Sequence, residues 1–538
     1  MTAGPSGAPL DVRTERTAHP PGEPVRLLVD ASGDDLAVVE VSHLGEPVSR
    51  HTVALRPGRQ AVDLGPLPVG SYAVRLTTEF SSAATAFDVL KDPMSRPRYG
   101  FLADFAADRT DNEALPDSLR AFHINVVQLY DWMYRHAELV PPTDEFLDPL
   151  ARPLSLATVR RLVDTVHEIG GAALGYAAVY GAGQEYAAAH PDQVLHRRDG
   201  SPWMLADFLW IMDVTPGSAW SRHIVGAMRR AVTEVGFDGL HLDQYGHPKT
   251  ALTAAGKRVD LADAFPALID AVRDALPSST LIFNNVNDFP TRRTVTARQD
   301  ATYIEVWSPS DDYADLVRLV EVARDLAPSR PVILAAYLVP FATAGGAAEV
   351  ATARLALATV WAAGGQYLLL GEVDGVLVDP YYPRYATLDA SAVRTLRLFT
   401  DFAVANGDLL FASESDETSA SMVNGVNEDV ELIGAPASVR PEAGRVWVRT
   451  SRVGGRLVVQ LVDYRGQPDS RWNRSGAVSA PASGLRLRVR VVDPSPTVRC
   501  GHPLGGPQLS PLATQGDADG ITVTVPDFET WALLVVDG

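Results

Sequence analysis

SAWSRHIVGAMRRAVTEVGFDGLHLD, residues Ser218–Asp243, joins an amphipathic helical stretch to a short apolar run that ends on a carboxylate. Ser218 stands where a helix N-cap is expected, Ser218–Val235 carries the helical pattern, and FDGLHLD from Phe237 reads as a strand. The same grammar recurs on both sides. Strand-like runs begin at Tyr99 (YGFLADF), Ile124 (INVVQLY), Gly171 (GAALGYAAVY), Thr280 (TLIFNNV), Thr302 (TYIEVW), Pro331 (PVILAAY) and Gln366 (QYLLLGE). Helical stretches lie between them at Ser155–Ile169, Leu261–Ala275, Ala314–Leu326 and Ala347–Ala362. Eight such units predict a central (β/α)8 TIM barrel over residues 97–412. A doubly wound sheet is the alternative, but no Gly-rich nucleotide fingerprint opens the first unit.

The flanks follow another pattern. Residues 1–96 alternate apolar and polar over short runs, Val25–Val29, Ala37–Val41, Thr52–Leu55 and Tyr72–Leu76, separated by turns such as SGDD and RPGR. This predicts an immunoglobulin-like β-sandwich. Residues 413–538 repeat the style at Val446–Val448, Arg456–Leu461, Leu485–Val492, Thr522–Val525 and Trp531–Val535, which predicts a C-terminal Greek-key β-sandwich. The expected class is therefore multidomain, α/β plus all-β.

Composition narrows the function. The 538 residues carry 47 Lys and Arg against 66 Asp and Glu, a net charge of −19. That balance argues against a protein built to grip nucleic acid or an anionic membrane. A single cysteine, Cys500, excludes a disulfide within the chain and a Cys-based zinc cluster, and reads as structural. The N-terminal stretch lacks the basic start and apolar run of a signal peptide, so the expected location is cytoplasmic, or secreted if the chain is a trimmed mature form. Leu355–Gly371 is the best imitation of a membrane span, but Gly364, Gly365 and Gln366 interrupt it and predict a buried helix, turn and strand.

Catalytic groups of a (β/α)8 barrel sit where the strands end at the C-terminal face. The polar residues closing the eight runs are Asp104; Gln128, Tyr130, Asp131 and Trp132; Tyr180; Asp243 and Gln244; Asn284 and Asn285; Glu305 and Trp307; Tyr337; and Glu372. Asp243 and Glu305 stand out, because they close the fourth and sixth runs and can both point into one mouth. Two carboxylates there allow one to act as nucleophile while the other, with a raised pKa, protonates a leaving oxygen. The alternative for each is a structural carboxylate that caps a helix or pairs with an Arg. The surrounding aromatic and amide side chains suit an uncharged sugar, with aromatics against its C–H face and planar partners for its hydroxyls. His241 precedes Asp243 by two residues on the same strand face and reads as support for it rather than as a metal ligand.

These residues lie in motifs that resemble glycoside hydrolase family 66, the family of endo-dextranases and cycloisomaltooligosaccharide glucanotransferases. The resemblance runs in order through QLYDWMYRHAELVPP (Gln128–Pro142), DPLARPLS (Asp148–Ser155), GYAAVYGA (Gly175–Ala182) and IMDVTPGSAW (Ile211–Trp220). It continues through GFDGLHLDQYG (Gly236–Gly246), IFNNVND (Ile282–Asp288), YIEVWSP (Tyr303–Pro309), AAYL (Ala335–Leu338), WAAGGQYLLLGE (Trp361–Glu372) and LVVQLVDYRG (Leu457–Gly466). The resemblance implies a retaining hydrolase of α-1,6-glucan without a cofactor or metal, with Asp243 as nucleophile and Glu305 as general acid/base. It also implies that Asp131, Arg135, His136 and Tyr180 hold the sugar. Tyr130, Trp132, Gln244, Asn285, Trp307 and Glu372 complete the expected substrate contacts.

Two features depart from that pattern. Tyr367 and Leu369 stand where the family usually has His and Glu, which is expected to strip two polar groups from the mouth. The interval from Tyr337 to Ala362 leaves no room for the carbohydrate-binding insertion of the glucanotransferases, which favours hydrolysis over cyclisation. The alternatives are a transglycosylase and a non-catalytic α-glucan binder. Trp203 and Trp210 read equally as sugar platforms or core residues, and Asp517–Gly520 reads as a hairpin turn rather than a calcium loop. Nothing in the sequence fixes the oligomeric state.

Overall fold

The computed structural model describes residues 10–111, 113–423, 428–490, 496–517 and 520–537. At its centre are eight parallel strands, hydrogen-bonded in sequential order. They are β1 (Tyr99–Leu102), β2 (Val126–Leu129), β3 (Ala172–Ala178), β4 (Gly239–Asp243), β5 (Thr280–Val286), β6 (Ala301–Glu305), β7 (Val332–Ala335) and β8 (Gln366–Leu368). The continuation of β8, Leu370–Gly371, pairs in parallel with β1 through Gly371 and Phe101, so the sheet closes into a ring.

Each strand is followed by a helix: α1 (Ala114–Ala121), α2 (Leu156–Glu168), α3 (Ala219–Val235), α4 (Leu261–Ala275), the single turn α5 (Thr291–Thr294), α6 (Tyr313–Leu326), α7 (Ala347–Ala362) and α8 (Ala390–Ala405). Local chemistry explains the boundaries. The Ser218 hydroxyl accepts from Ser221 N at the start of α3, and Gly236 ends the helix at φ 97°, a conformation that costs other residues a Cβ clash. Trp220, Ile224, Ala227, Met228, Ala231 and Val235 form the buried stripe of α3, at helical spacing. Gly239 then lets β4 approach β5 closely, since a Cβ there would sit 1.8 Å from the Thr280 carbonyl oxygen.

The segment Leu355–Gly371 behaves as its interrupting residues predict, with α7, a turn at Gly364 and then β8. Helix α7 is apolar on nearly every side because it is covered twice, by the ring and by the C-terminal sheet. Gln460 Nε2 donates to Ala362 O at 3.1 Å, and Trp361 packs 6.3 Å from Trp531 between ring centroids. Among the described residues no helix is long and apolar enough to cross a membrane.

The N-terminal strands form two antiparallel sheets of three and four strands that close on Val25, Leu27, Val29, Val39, Val41 and Val74. The C-terminal strands form a sheet of seven strands, antiparallel except where Ala437–Ser438 pairs in parallel with Val446–Val453, and an antiparallel sheet of four among the described residues. Cys500 is buried there. Asp517 pairs with Gly520, and residues 518 and 519 of the turn expected between them lie outside the described residues.

Candidate active site

Strand alternation sorts the ring residues into two sets. Leu174, Ile282, Tyr303, Ile333 and Leu368 pack together inside the ring, whereas Tyr367 and Leu369 belong to the cluster between ring and helices. The same parity turns His241 and Asp243 of β4, Asn284 of β5 and Glu305 of β6 toward the interior. Above this core, where the strands end, opens a cavity of about 720 Å³.

Asp243 and Glu305 both line it. Asn284 Nδ2 donates to Asp243 Oδ1 at 2.7 Å and to Glu305 Oε2 at 3.0 Å, which holds those two oxygens less than about 6 Å apart. The Tyr176 hydroxyl donates to Asp243 Oδ2 at 2.7 Å, and the Tyr337 hydroxyl donates to Glu305 Oε1 at 2.7 Å. Burial raises the pKa of both carboxyls. The neighbouring charge of Glu305 adds to the rise at Asp243, which is pushed up to about 7. Two carboxyls this close titrate as a pair, so the charge on one disfavours ionisation of the other.

The other expected residues divide. Tyr130, Asp131, His136, Gln244 and Trp307 line the cavity. Asp131 adopts φ 52°, which Asp tolerates better than most residues, and burial pushes its carboxyl up to about 7. Burial also drives His136 down to about 4 and His241 to about 3, so both imidazoles are neutral. His241 Nδ1 meets the Tyr99 hydroxyl at 2.9 Å, below the carboxyl pair. Among the described residues no group of three His, Cys, Asp or Glu side chains is arranged to hold a metal.

Five expected contacts lie elsewhere. Trp132 is fully buried, donating to Tyr176 O at 3.1 Å and packing edge-on to Phe237. Arg135 turns back to the Tyr134 and Leu147 carbonyls, 2.7 Å from each. Tyr180 lies past the end of β3, where its hydroxyl donates to His247 O and accepts from Tyr245 N, both at 2.9 Å, bracing the loop beyond Asp243. Asn285 has the opposite parity to Asn284 and is buried, bonded to Tyr303 O and Thr294 Oγ1. Glu372 is buried behind the wall, where it accepts from Ala103 N at 2.6 Å and from Arg109 Nη2 at 2.5 Å.

The departures at Tyr367 and Leu369 also leave the mouth untouched. Both face outward, and the Tyr367 hydroxyl donates to the Ala336 carbonyl. Neither Trp203 nor Trp210 reaches the cavity, and the Trp203 ring packs under the Arg197 guanidinium at 4.3 Å.

Several lining residues escaped the list of strand ends. Tyr176 could have been found from alternation along β3, since it stands two residues beyond the inward Leu174. Tyr381 and Tyr382 come from the loop after β8, and Tyr382 stacks on Tyr130 with centroids 4.2 Å apart. Leu205 and Leu209 flank the tip of a hairpin folded over the cavity, with Phe208 beside them. No local sequence signal marks a loop that returns to the mouth by folding.

Comparisons with known proteins bear on the family and the fold. The family described as "Glycosyl hydrolase family 66" matches residues 14–534. A cycloisomaltooligosaccharide glucanotransferase of Niallia circulans is 28% identical over 382 residues, covering 62% of this chain and 39% of the relative. A dextranase of Streptococcus salivarius is 22% identical over 544 residues, covering 85% of this chain and 65% of the relative. The chain thus spans less than two thirds of the length of these curated relatives. Among solved structures, a Paenibacillus sp. cycloisomaltooligosaccharide glucanotransferase complexed with cycloisomaltoheptaose shares the fold. Its TM-score is 0.87 at 19% identity, with 98% of this chain and 99% of that one covered.

Proposed function

Because the chain belongs to glycosyl hydrolase family 66, we propose that it is a retaining glycosidase that cleaves α-1,6-glucosidic linkages in dextran or isomalto-oligosaccharides by double displacement. The ring is read as a (β/α)8 barrel of residues 97–412. The flanks are read as an immunoglobulin-like β-sandwich of residues 1–96 and a Greek-key β-sandwich of residues 413–538.

The observation that carries the mechanism is the amide nitrogen shared by Asp243 and Glu305. Retaining enzymes keep their two carboxyls about 5–5.5 Å apart, whereas inverting enzymes need roughly 6.5–9.5 Å to seat a water between them. A bound of about 6 Å on the bridged oxygens favours the first class. In this reading Asp243, oriented by Tyr176 and Asn284, attacks the anomeric carbon and forms a glycosyl ester. Glu305, oriented by Tyr337 and Asn284, first gives its proton to the leaving glycosidic oxygen and then takes one from water. Asp131 and His136 are assigned to sugar hydroxyls, and Tyr130 offers a ring face to the sugar.

Trp307, 40% exposed and two residues past Glu305, offers a platform to a second sugar and favours transfer to a sugar hydroxyl as the second reading. The first-formed product of isomalto-oligosaccharide cleavage, followed by proton NMR, tests the proposal. An α-anomer is expected, and a β-anomer overturns double displacement. Asp243→Asn is expected to remove at least about a thousandfold of the rate. Product sizing at high oligosaccharide concentration separates hydrolysis from transfer. Binding of α-glucans without turnover of any would leave only the binder reading.

A further inference from the structure

We infer that the C-terminal segment Ser470–Asn473 is a positioning element for Glu305, centred on Trp472; the inference rests on Glu305 being the general acid/base. Trp472 is 3% exposed and packs in the core shared by the ring helices, far along the chain from the strands it braces. Two routes run from this segment, one to the chain just past Glu305 and one to the Tyr337 hydroxyl that bonds Glu305.

The first route passes through the loop after β6. Trp472 Nε1 donates to Ser310 O at 2.8 Å, and its backbone N–H donates to Asp311 O at 3.2 Å. Ser310 N in turn donates to Trp307 O at 3.0 Å, two residues beyond Glu305. Tyr313 N donates to Ser470 O at 2.8 Å, which ties the start of α6 to the same segment. The second route passes through the loop after β7. Asn473 Oδ1 accepts from Val339 N at 3.0 Å, and Tyr337, two residues before Val339, donates to Glu305 Oε1 at 2.7 Å.

Among the described residues this segment makes no direct bond to Asp243 or to its supports, and Asn284 is shared by the two carboxyls. Tyr176 reaches Asp243 from β3, and His241 and Tyr99 lie beneath it on β4 and β1. The segment therefore acts more directly on Glu305 than on Asp243. A general acid must sit within hydrogen-bond reach of the oxygen it protonates, so loosening two loops that fix Glu305 costs proton donation before it costs nucleophilic attack. The C-terminal β-structure, on this account, completes the catalytic site rather than serving as an appendage.

Leaving-group dependence tests the inference, because nitrophenolate departs without the proton that a sugar hydroxyl requires. Full-length Trp472→Phe, Asn473→Ala and Glu305→Gln proteins are compared on isomaltotetraose and on 4-nitrophenyl isomaltotrioside. Trp472→Phe is expected to lower kcat/KM, which reports formation of the glycosyl ester, about tenfold on isomaltotetraose and less than about twofold on the nitrophenyl substrate. Asn473→Ala, a half-buried position that spares the aromatic packing, is expected to shift the ratio in the same direction. Equal losses on the two substrates, or no loss on either, overturn the positioning role. If Glu305→Gln itself loses kcat/KM equally on both substrates, it is the acid/base assignment that fails, whatever the Trp472 variant does.

Discussion

Asp243 and Glu305 take hydrogen bonds from one nitrogen, Asn284 Nδ2, at 2.7 and 3.0 Å. Donation to a carboxylate favours its ionised form, so this amide opposes the burial that raises both groups. Asn284→Ala is therefore expected to raise both pKa values further. The acid limb of kcat/KM against pH should move to higher pH, and kcat should fall by about a hundredfold. A pH–rate profile on isomalto-oligosaccharides checks this, and an unmoved acid limb would contradict it.

Asp131 offers a test through stability. Its carboxyl titrates near 7 in the fold against an ordinary 3.8, because burial disfavours the charge. The folded state thus holds the proton more tightly than the unfolded one, so this group's contribution weakens as pH rises from about 4 to about 7. Asp131→Asn keeps a side chain that tolerates the left-handed backbone and removes the buried charge. The variant should be more stable than the parent at pH 8, by about 1–3 kcal/mol, and the advantage should vanish by pH 4. Thermal unfolding across that range reads it out. Since Asp131 lines the cavity, KM should rise in the same variant.

Glu372 is expected to matter for folding rather than for substrate. Its partner Arg109 is 3% exposed at the side chain, and Glu372 is 1% exposed. Removing one member of a buried pair strands the other charge, so Arg109→Met should cost about 3–5 kcal/mol. Adding Glu372→Gln to that variant should recover at least half of the lost urea midpoint, because the stranded charge is then gone. Glu372→Gln alone should leave KM unchanged, and a large rise in KM would return this residue to the substrate site.

How much of this was legible in the chain can be argued from single residues. The helix predicted over Leu261–Ala275 has those bounds in the structure, as does Ala347–Ala362, because apolar spacing and capping residues act locally. Asp243 and Glu305 were reachable as well, since each closes an apolar run. Asn284 and Asn285 stood side by side in that list, and parity decided between them: β5 sends one into the mouth and the other into the outer core. The same parity turned Tyr367 and Leu369 away from the mouth, so their departure from the family pattern reaches the helices instead of the cavity.

By itself, the sequence determined the alternation of strands and helices, the β-rich flanks and the two carboxyls, because these depend on periodicity and on neighbours within a few residues. Only the tertiary structure decided what surrounds those carboxyls. Tyr382 stacks on Tyr130, Tyr337 reaches Glu305, and Trp472 holds Ser310 because the closed ring brings its strand ends together and the C-terminal sheet packs against its helices. Such contacts join residues as many as 252 positions apart, Tyr130 to Tyr382, and no local pattern of spacing encodes which distant side chains meet once apolar burial has fixed the packing.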